Sequence, residues 1–110
     1  TSFASAFNGC VSLTSVPSDL FDQNTNVLTF SGTFRNCVSL TNVLSFEDGN
    51  GDPISPVTVF DRVYDMYTTS NSLTGTASEI WNRSPQPSGT DAFRNCTGLT
   101  NFGDIPTAFK

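Results

Sequence analysis

"FRNC" occurs at Phe34–Cys37 and again at Phe93–Cys96, and the near copy "FNGC" occurs at Phe7–Cys10. Each copy runs on to a leucine, giving the phrases "FNGCVSLT", "FRNCVSLT" and "FRNCTGLT". A phrase that returns along one chain indicates an internal repeat, and an internal repeat constrains the whole fold. The phrase therefore sets the register in which the other residues are compared.

A fourth copy of the phrase is predicted between the second and the last. The stretch "YTTSNSLTGTASEIW" aligns without a gap with "FNGCVSLTSVPSDLF". This alignment places Tyr67 in the aromatic position, Ser70 in the cysteine position and Leu73 in the leucine position. The sequence thus predicts a single domain of four rungs at about 1–26, 27–59, 60–88 and 89–110, with a hairpin insertion at about 44–60. We expect this domain to belong to a longer chain or an assembly.

The spacing inside a rung predicts its local structure. Phe30, Phe34 and Cys37 lie at positions i, i+4 and i+7, which is one face of a short helix. The "LT" run that follows is typical of a short strand. Such a unit cannot bury its apolar face alone, so stacked neighbours must form the core. The sequence predicts an α/β fold, a leucine-rich-repeat-like solenoid of about four rungs with short strands on one face and short helices on the other. Its expected core residues are Phe7, Cys10, Leu13, Phe34, Cys37, Leu40, Tyr67, Ser70, Leu73, Phe93, Cys96 and Leu99.

The three cysteines could be metal ligands, disulfide partners or core residues. Zinc usually takes four ligands in close pairs, whereas these cysteines are single and the chain has no histidine. A disulfide between Cys10 and Cys37 is conceivable, but packed helices lie about 8–10 Å apart and a disulfide needs Cα atoms within about 7 Å. We therefore interpret the cysteines as buried, weakly polar core residues and predict no metal and no cofactor.

The stretch "EDGNGDP" at Glu47–Pro53 interrupts the repeat. Asp48, Asn50 and Asp52 match the opening of a calcium loop, but the rest of that pattern is absent. The alternative is a hairpin tip between the strands "NVLSF" and "PVTVF". We predict the hairpin and place a specific contact at its tip. The remaining predicted binding residues lie on the strand face, and they are Ser15, Asn42, Leu44 and Asn101.

Composition excludes several classes of function. The formal net charge is −5 and histidine is absent, which argues against nucleic-acid binding and against anionic membrane surfaces. No apolar stretch is long enough for a transmembrane helix, so no membrane insertion is predicted. Asp61 and Asp65 could pair by chance, but we interpret them as solvated charges, and no enzyme activity is predicted. Arg35 and Arg94 are expected to be solvated or to contact an acidic partner, and Trp81 to be core or half-buried.

The phrase aromatic-x-x-Cys-x-x-Leu-Thr resembles the BspA-like leucine-rich repeats of bacterial surface proteins. "SEIWNR" at Ser78–Arg83 and the closing "FRNCTGLTNFGDIPTAFK" at Phe93–Lys110 resemble a subset found in phage virion and tail proteins. Ser70, Gly89 and the insertion depart from the family pattern. The resemblance implies a non-catalytic recognition or adhesion module of a phage virion or tail protein, which binds a host-cell surface or a partner protein.

Two alternatives remain: an adhesin domain of a bacterial surface protein and a structural decoration domain of a viral assembly. In each case an extracellular location is expected, on a virion or a bacterial cell surface. The expected partners are a host-surface protein or a glycan. An open end of a repeat array exposes apolar surface, so we also expect a neighbouring domain or subunit to cover the N-terminal rung.

Overall fold

The residues of the repeated phrase fold into pairs of linked β-turns. We call these pairs the four turn segments; they span 2–10, 29–37, 59–66 and 88–96. A computed structural model describes residues 2–48 and 50–110 of the chain. Its elements of regular structure are three single-turn 3-10 helices at Ile80–Asn82, Phe102–Asp104 and Thr107–Phe109.

The predicted α/β solenoid is wrong. Over residues 2–48 and 50–110 the chain forms a compact globule without an α-helix, a β-strand or a sheet. Pairing between backbones is confined to isolated bridges, of which Ser2–Thr29, Thr29–Val59, Val59–Ser88 and Gly75–Leu99 are parallel. The Cα radius of gyration is 12.5 Å. No helix found in these residues is long and apolar enough to cross a membrane.

The predicted helices fail because left-handed residues interrupt each of them. In the second turn segment, Gly32 has φ 61° and Asn36 has φ 58°, whereas an α-helix needs φ near −63° throughout. The local hydrogen bonds instead close turns, from the Thr33 N–H to the Phe30 carbonyl and from the Cys37 N–H to the Phe34 carbonyl. Two linked turns thus return an aromatic residue and a cysteine to one side at the spacing of a helical face. Corresponding left-handed residues in the other segments are Ser5, Gly9, Arg62, Asp91 and Asn95.

Alternate amides of each turn segment bond to the next segment. The Phe30 and Phe34 N–H groups donate to the carbonyls of Val59 and Val63, at 3.0 and 2.9 Å. The amides between them close the local turns, so two adjacent segments never share the continuous ladder that defines a strand. Because the intervening amides close local turns, reciprocal bonds between segments are confined to the isolated bridges, and neither a strand nor a helix forms in the described residues.

Aromatic rings stack in two columns along the segments. Phe7, Phe34, Tyr64 and Phe93 form one column, with successive ring centroids 5.4, 5.4 and 5.8 Å apart. The second column joins Phe3 to Phe30 at 5.9 Å and Phe30 to Phe60 at 6.0 Å. Offset stacking of this kind adds to the burial of the rings. The columns form the centre of the core, and the other buried core residues that the sequence names are Cys37, Leu40, Leu73, Cys96 and Leu99.

The predicted register of the third copy is wrong. Tyr64 occupies the aromatic column, while Tyr67 is 63% exposed and Ser70 is exposed. Tyr64 and Leu73 are separated by three more residues than Phe34 and Leu40 are, and this extra length carries Tyr67 and Ser70 away from the core. The first copy departs less from its predicted burial in the core, because its residues Phe7, Cys10 and Leu13 are half-buried.

The threonine of the "LT" phrase links neighbouring copies. Thr41 donates from its N–H and its hydroxyl to the Thr14 carbonyl, at 2.9 and 2.8 Å. Thr74 repeats both bonds to the Thr41 carbonyl, and Thr100 repeats them to the Gly75 carbonyl. A side chain with a hydroxyl is required for the second bond of each pair, which accounts for the recurrence of threonine at this position.

Gly89 occupies the position at which the other copies have an aromatic residue. A contact with the C-terminal residues explains why this position is a glycine. A Cβ atom at residue 89 would overlap the ring of Phe109. The Asp91 and Phe93 N–H groups donate to the carbonyls of Ala108 and Phe109, at 3.2 and 2.7 Å. The last 3-10 turn thus supplies from outside the repeat the ring and the acceptors that a following segment would provide.

Candidate recognition site

The predicted hairpin tip is a turn that its own aspartate organises. The Asp48 carboxylate accepts hydrogen bonds from the Asn50 N–H at 2.8 Å and the Asp52 N–H at 3.0 Å. An isolated antiparallel bridge joins Glu47 to Pro53. The two predicted strands are not present, and Gly49, inside the predicted turn, lies outside the described residues. Asp48 thus serves the turn, while Asn50 and Asp52 are exposed.

Two of the predicted strand-face residues hold the structure together. The Asn42 side chain accepts from the Val16 N–H at 3.3 Å and donates to the Val16 carbonyl at 3.1 Å. Asn101 clamps Ala77 in the same way, with both bonds at 2.9 Å. Both amide groups are therefore occupied. The signal in the sequence was "LTN", which occurs in two copies, but it could not distinguish an inward clamp from an outward contact.

The other two strand-face residues do not join them in a site. Leu44 is buried, and its N–H donates to the Tyr64 hydroxyl at 2.8 Å. Burial raises the pKa of Tyr64 far above its usual value, although this hydrogen bond opposes the shift. Ser15 is exposed, and it occupies the position that Asn42 and Asn101 hold in their copies. The predicted face thus consists of structural residues and one free serine.

Arg35 and Arg94 bind a buried carboxylate between them. Their Nε atoms lie 3.2 and 2.7 Å from the two oxygens of Asp65, whose side chain is 1% exposed. The interpretation of Asp65 as a solvated charge is therefore wrong. Asp61 accepts hydrogen bonds from the Ser88 hydroxyl and from the Thr90 N–H. Each of these carboxylates has a structural role, and removing Asp65 would leave two guanidinium groups without their partner.

The cysteines are free thiols. The Cys37 sulfur donates to the Phe7 carbonyl at 3.0 Å, and the Cys96 sulfur donates to the Tyr64 carbonyl at 3.1 Å. Burial raises the pKa of Cys37, and it raises the pKa of Cys96 to about 12. A thiol with a raised pKa is a poor nucleophile at neutral pH, so these two cysteines are suited to packing.

A cleft of about 250 Å³ opens beside the insertion. Its walls are the stretches 53–58 and 83–87, and its surface is mostly apolar because Pro53, Pro56, Pro85 and Pro87 contribute to it. Arg83 lies at the cleft, with its guanidinium 5.1 Å from the centre of the Phe60 ring. Burial lowers the pKa of Arg83, and the charge of Glu47 opposes that effect. The cleft is thus shaped for an apolar group, with one cation at its edge.

A second groove, of about 550 Å³, is lined in part by Glu79, Trp81 and Asn82, which directly precede the stretch 83–87. It is polar, and its acidic groups are Glu79 and Asp104. The Glu79 carboxylate accepts a hydrogen bond from the Asn82 amide at 2.8 Å. Trp81 lies at its floor, 8% exposed and edge-on to Phe93 and Phe109. Sequence reasoning placed Trp81 near the core but missed this groove, because residues far apart in the chain line it.

Metal chemistry finds no support among residues 2–48 and 50–110, where no group of three or more histidine, cysteine, aspartate or glutamate residues could hold an ion. The comparisons with known proteins were also negative, since no family model, no curated protein and no solved structure matches this chain. The candidate site therefore rests on the geometry of the two recesses.

Proposed function

We propose that this chain is a non-catalytic recognition or adhesion module of a phage virion or tail protein that binds a host-cell surface. One observation carries the proposal: the segment 79–87 borders both recesses, with Glu79, Trp81 and Asn82 in the groove and 83–87 in the cleft. This segment includes most of "SEIWNR", a stretch that resembles phage virion and tail proteins. The two recesses give one short segment a polar and an apolar contact surface.

The chemistry of the groove favours a neutral glycan over an anionic ligand. Asp104 is exposed and its carboxylate makes no hydrogen bond within the described residues. Carboxylates and amides accept and donate the hydrogen bonds that sugar hydroxyls need. The chain's net charge of −5 would repel a polyanion. A neutral saccharide, placed beside the apolar cleft, is therefore the ligand class that we propose.

The residues with catalytic potential support a non-catalytic role. Asp61 and Asp65 are both engaged in hydrogen bonds that join turn segments. The thiols of Cys37 and Cys96 are buried. A surface module of this kind would act at the exterior of a virion, and its affinity would come from several weak contacts across a rigid framework.

A structural decoration domain is the second candidate. Phe3 and Phe7 are half-buried at the N-terminal end, whereas their counterparts Phe30 and Phe34 are buried. A neighbouring subunit that covers these rings would suit a domain that cements an assembly. An adhesin of a bacterial surface would use the same two recesses as the phage module. The two proposals differ only in whether a bacterial cell or a virion carries the domain.

Binding to host cells and to a glycan panel tests the proposal. Asp104→Ala should reduce binding by about tenfold or more, since a hydrogen bond to a charged group contributes about 1.5–3 kcal/mol. Asp22→Ala, an exposed aspartate in the first copy, makes the same change away from the groove and should bind normally. Equal binding by the two variants, or no binding of the unaltered protein to any glycan or cell, contradicts the proposed function.

A further inference from the structure

We propose that the face formed by the first turn segment binds a further turn segment of the same kind, with aromatic residues four positions apart and stacked in parallel register. This face is formed by residues 2–14. It is distinct from the two recesses above, and the proposal concerns assembly and does not depend on host binding.

The first turn segment presents a row of hydrogen-bond acceptors. At each internal interface, N–H groups of one segment donate to four alternate carbonyls of the next, as in the bonds to Thr29, Ser31, Thr33 and Arg35. The corresponding carbonyls of the first segment receive no hydrogen bond from any residue that the structure describes. They belong to Ser2, Ala4, Ala6 and Asn8, which are all exposed. A row of unpaired backbone groups is a template for another backbone.

The "LT" residues of the same face present a hydrogen-bond donor, whereas the carbonyl row presents acceptors. The Thr41 N–H donates to the Thr14 carbonyl, and the Thr74 N–H donates to the Thr41 carbonyl. The Thr14 N–H has no acceptor among residues 2–48 and 50–110. The occupant must therefore offer four donors opposite the carbonyl row and one acceptor opposite Thr14. In the second, third and fourth copies of this chain, the four carbonyls and the threonine N–H are paired with such donors and such an acceptor from the preceding copy.

The apolar part of the face specifies aromatic side chains. The two ring columns end at Phe3 and Phe7, which are half-buried and each stack on one ring of the described residues, Phe30 and Phe34; Phe3 also contacts Phe21 in a tilted arrangement at 4.7 Å. Cys10 and Leu13 are half-buried next to them, and Val11 is 52% exposed. Rings placed at the spacing of the internal columns would continue both stacks and remove this surface from water.

A second copy of this chain does not fit the face. If two N-terminal faces met, each would present acceptors to acceptors along the carbonyl rows. The C-terminal face cannot supply the donors, because the Asp91 and Phe93 N–H groups are bound to Ala108 and Phe109. The occupant is therefore a turn segment with free donors that belongs to a different protein subunit.

A fusion tests this inference directly. Residues 2–28 are duplicated and placed immediately before Ser2 of the full chain, which keeps the natural step from one copy to the next. We expect the added copy to fold onto the face, to raise the thermal midpoint by about 5 °C or more in a single transition, and to slow hydrogen exchange of its own Phe3, Ser5, Phe7 and Gly9 amides. The matched control carries Phe3→Ser and Phe7→Ser in the added copy only.

Three outcomes would overturn the proposal. They are an added copy that exchanges as fast as an unfolded peptide, a midpoint no higher than that of the unextended protein, and an equal rise in the serine control. Sedimentation of the unextended chain addresses the competing occupant, and a monomer is expected. A dimer that Phe3→Ser and Phe7→Ser dissociate would show that a second copy takes the face.

Discussion

The two ends of the stack of turn segments differ in how they are closed. At the C-terminal end, Phe109 fills the ring position that Gly89 leaves empty, and its carbonyl accepts from the Phe93 N–H. At the N-terminal end, Phe3 and Phe7 remain half-buried and the carbonyl row is open. The same phrase thus forms a buried layer where another segment covers it and a partly exposed apolar surface where none of the described residues does. Stability should therefore be concentrated toward the C-terminal end.

Ring removal at the two ends gives the largest expected contrast. Phe109→Ala should lower the free energy of unfolding by about 3–4 kcal/mol, because it leaves a cavity and opens the C-terminal face. Phe3→Ala should cost about 1–2 kcal/mol, because the ring is already half in water. Urea denaturation of both variants measures the difference. Equal losses would show that the ends are equally closed.

The contact between Gly89 and Phe109 gives a second test of how the C-terminal end is closed. Gly89→Ala should destabilise the protein by about 1–3 kcal/mol, since the added methyl group overlaps the ring. In the Phe109→Ala background the same substitution should cost less than about 1 kcal/mol. A double-mutant cycle measures this coupling. Additive effects would mean that Phe109 does not occupy the ring position.

The cysteines test the same difference in burial between the two ends, through the pH dependence of stability. Burial raises the pKa of Cys96 from 9.0 to about 12, so the folded state retains a proton that the unfolded state loses first. Its contribution to stability is complete below pH 9 and is lost as the pH rises toward 12. Cys37 shifts in the same direction. We therefore expect the urea midpoint to fall between pH 9 and pH 11.

Thiol modification gives a separate test of burial. We expect iodoacetamide to modify half-buried Cys10 before Cys96 in the native protein. Simultaneous modification of the two would contradict this difference in burial.

The repeat itself could be predicted from the sequence, but its conformation could not. The spacing of Phe30, Phe34 and Cys37 fits both a helix and two linked turns, because each conformation returns side chains to one side after about four residues. Gly32 and Asn36 were the signs of the turns, since these residue types tolerate a left-handed backbone. Arg62 offers no such sign, and its φ of 56° follows from the neighbouring segments that hold it.

In the candidate site, too, some features could be predicted from the sequence and others could not. The insertion was visible as a break in the repeat, and its tip does form a turn around Asp48. The register of the third copy was misread because Tyr67 lies at a plausible spacing from Leu73, although Tyr64 takes the column. The clamps of Asn42 and Asn101 depend on backbone from another copy, and the groove beside Trp81 depends on the fold of the C-terminus. Local pattern carries none of this information.

The repeated phrase forms turns that contain left-handed residues, and one pair of variants at Arg62 tests this conformation. Arg62 is exposed with φ 56°, and both variants remove the same charge. Because a side chain costs about 1 kcal/mol in this conformation, Arg62→Gly should unfold at higher urea than Arg62→Ala. At Thr90, which is exposed and lacks a positive φ, the order should reverse. A helix through residues 60–66 would instead make Arg62→Ala the more stable variant by about 1 kcal/mol, and that result would contradict the account.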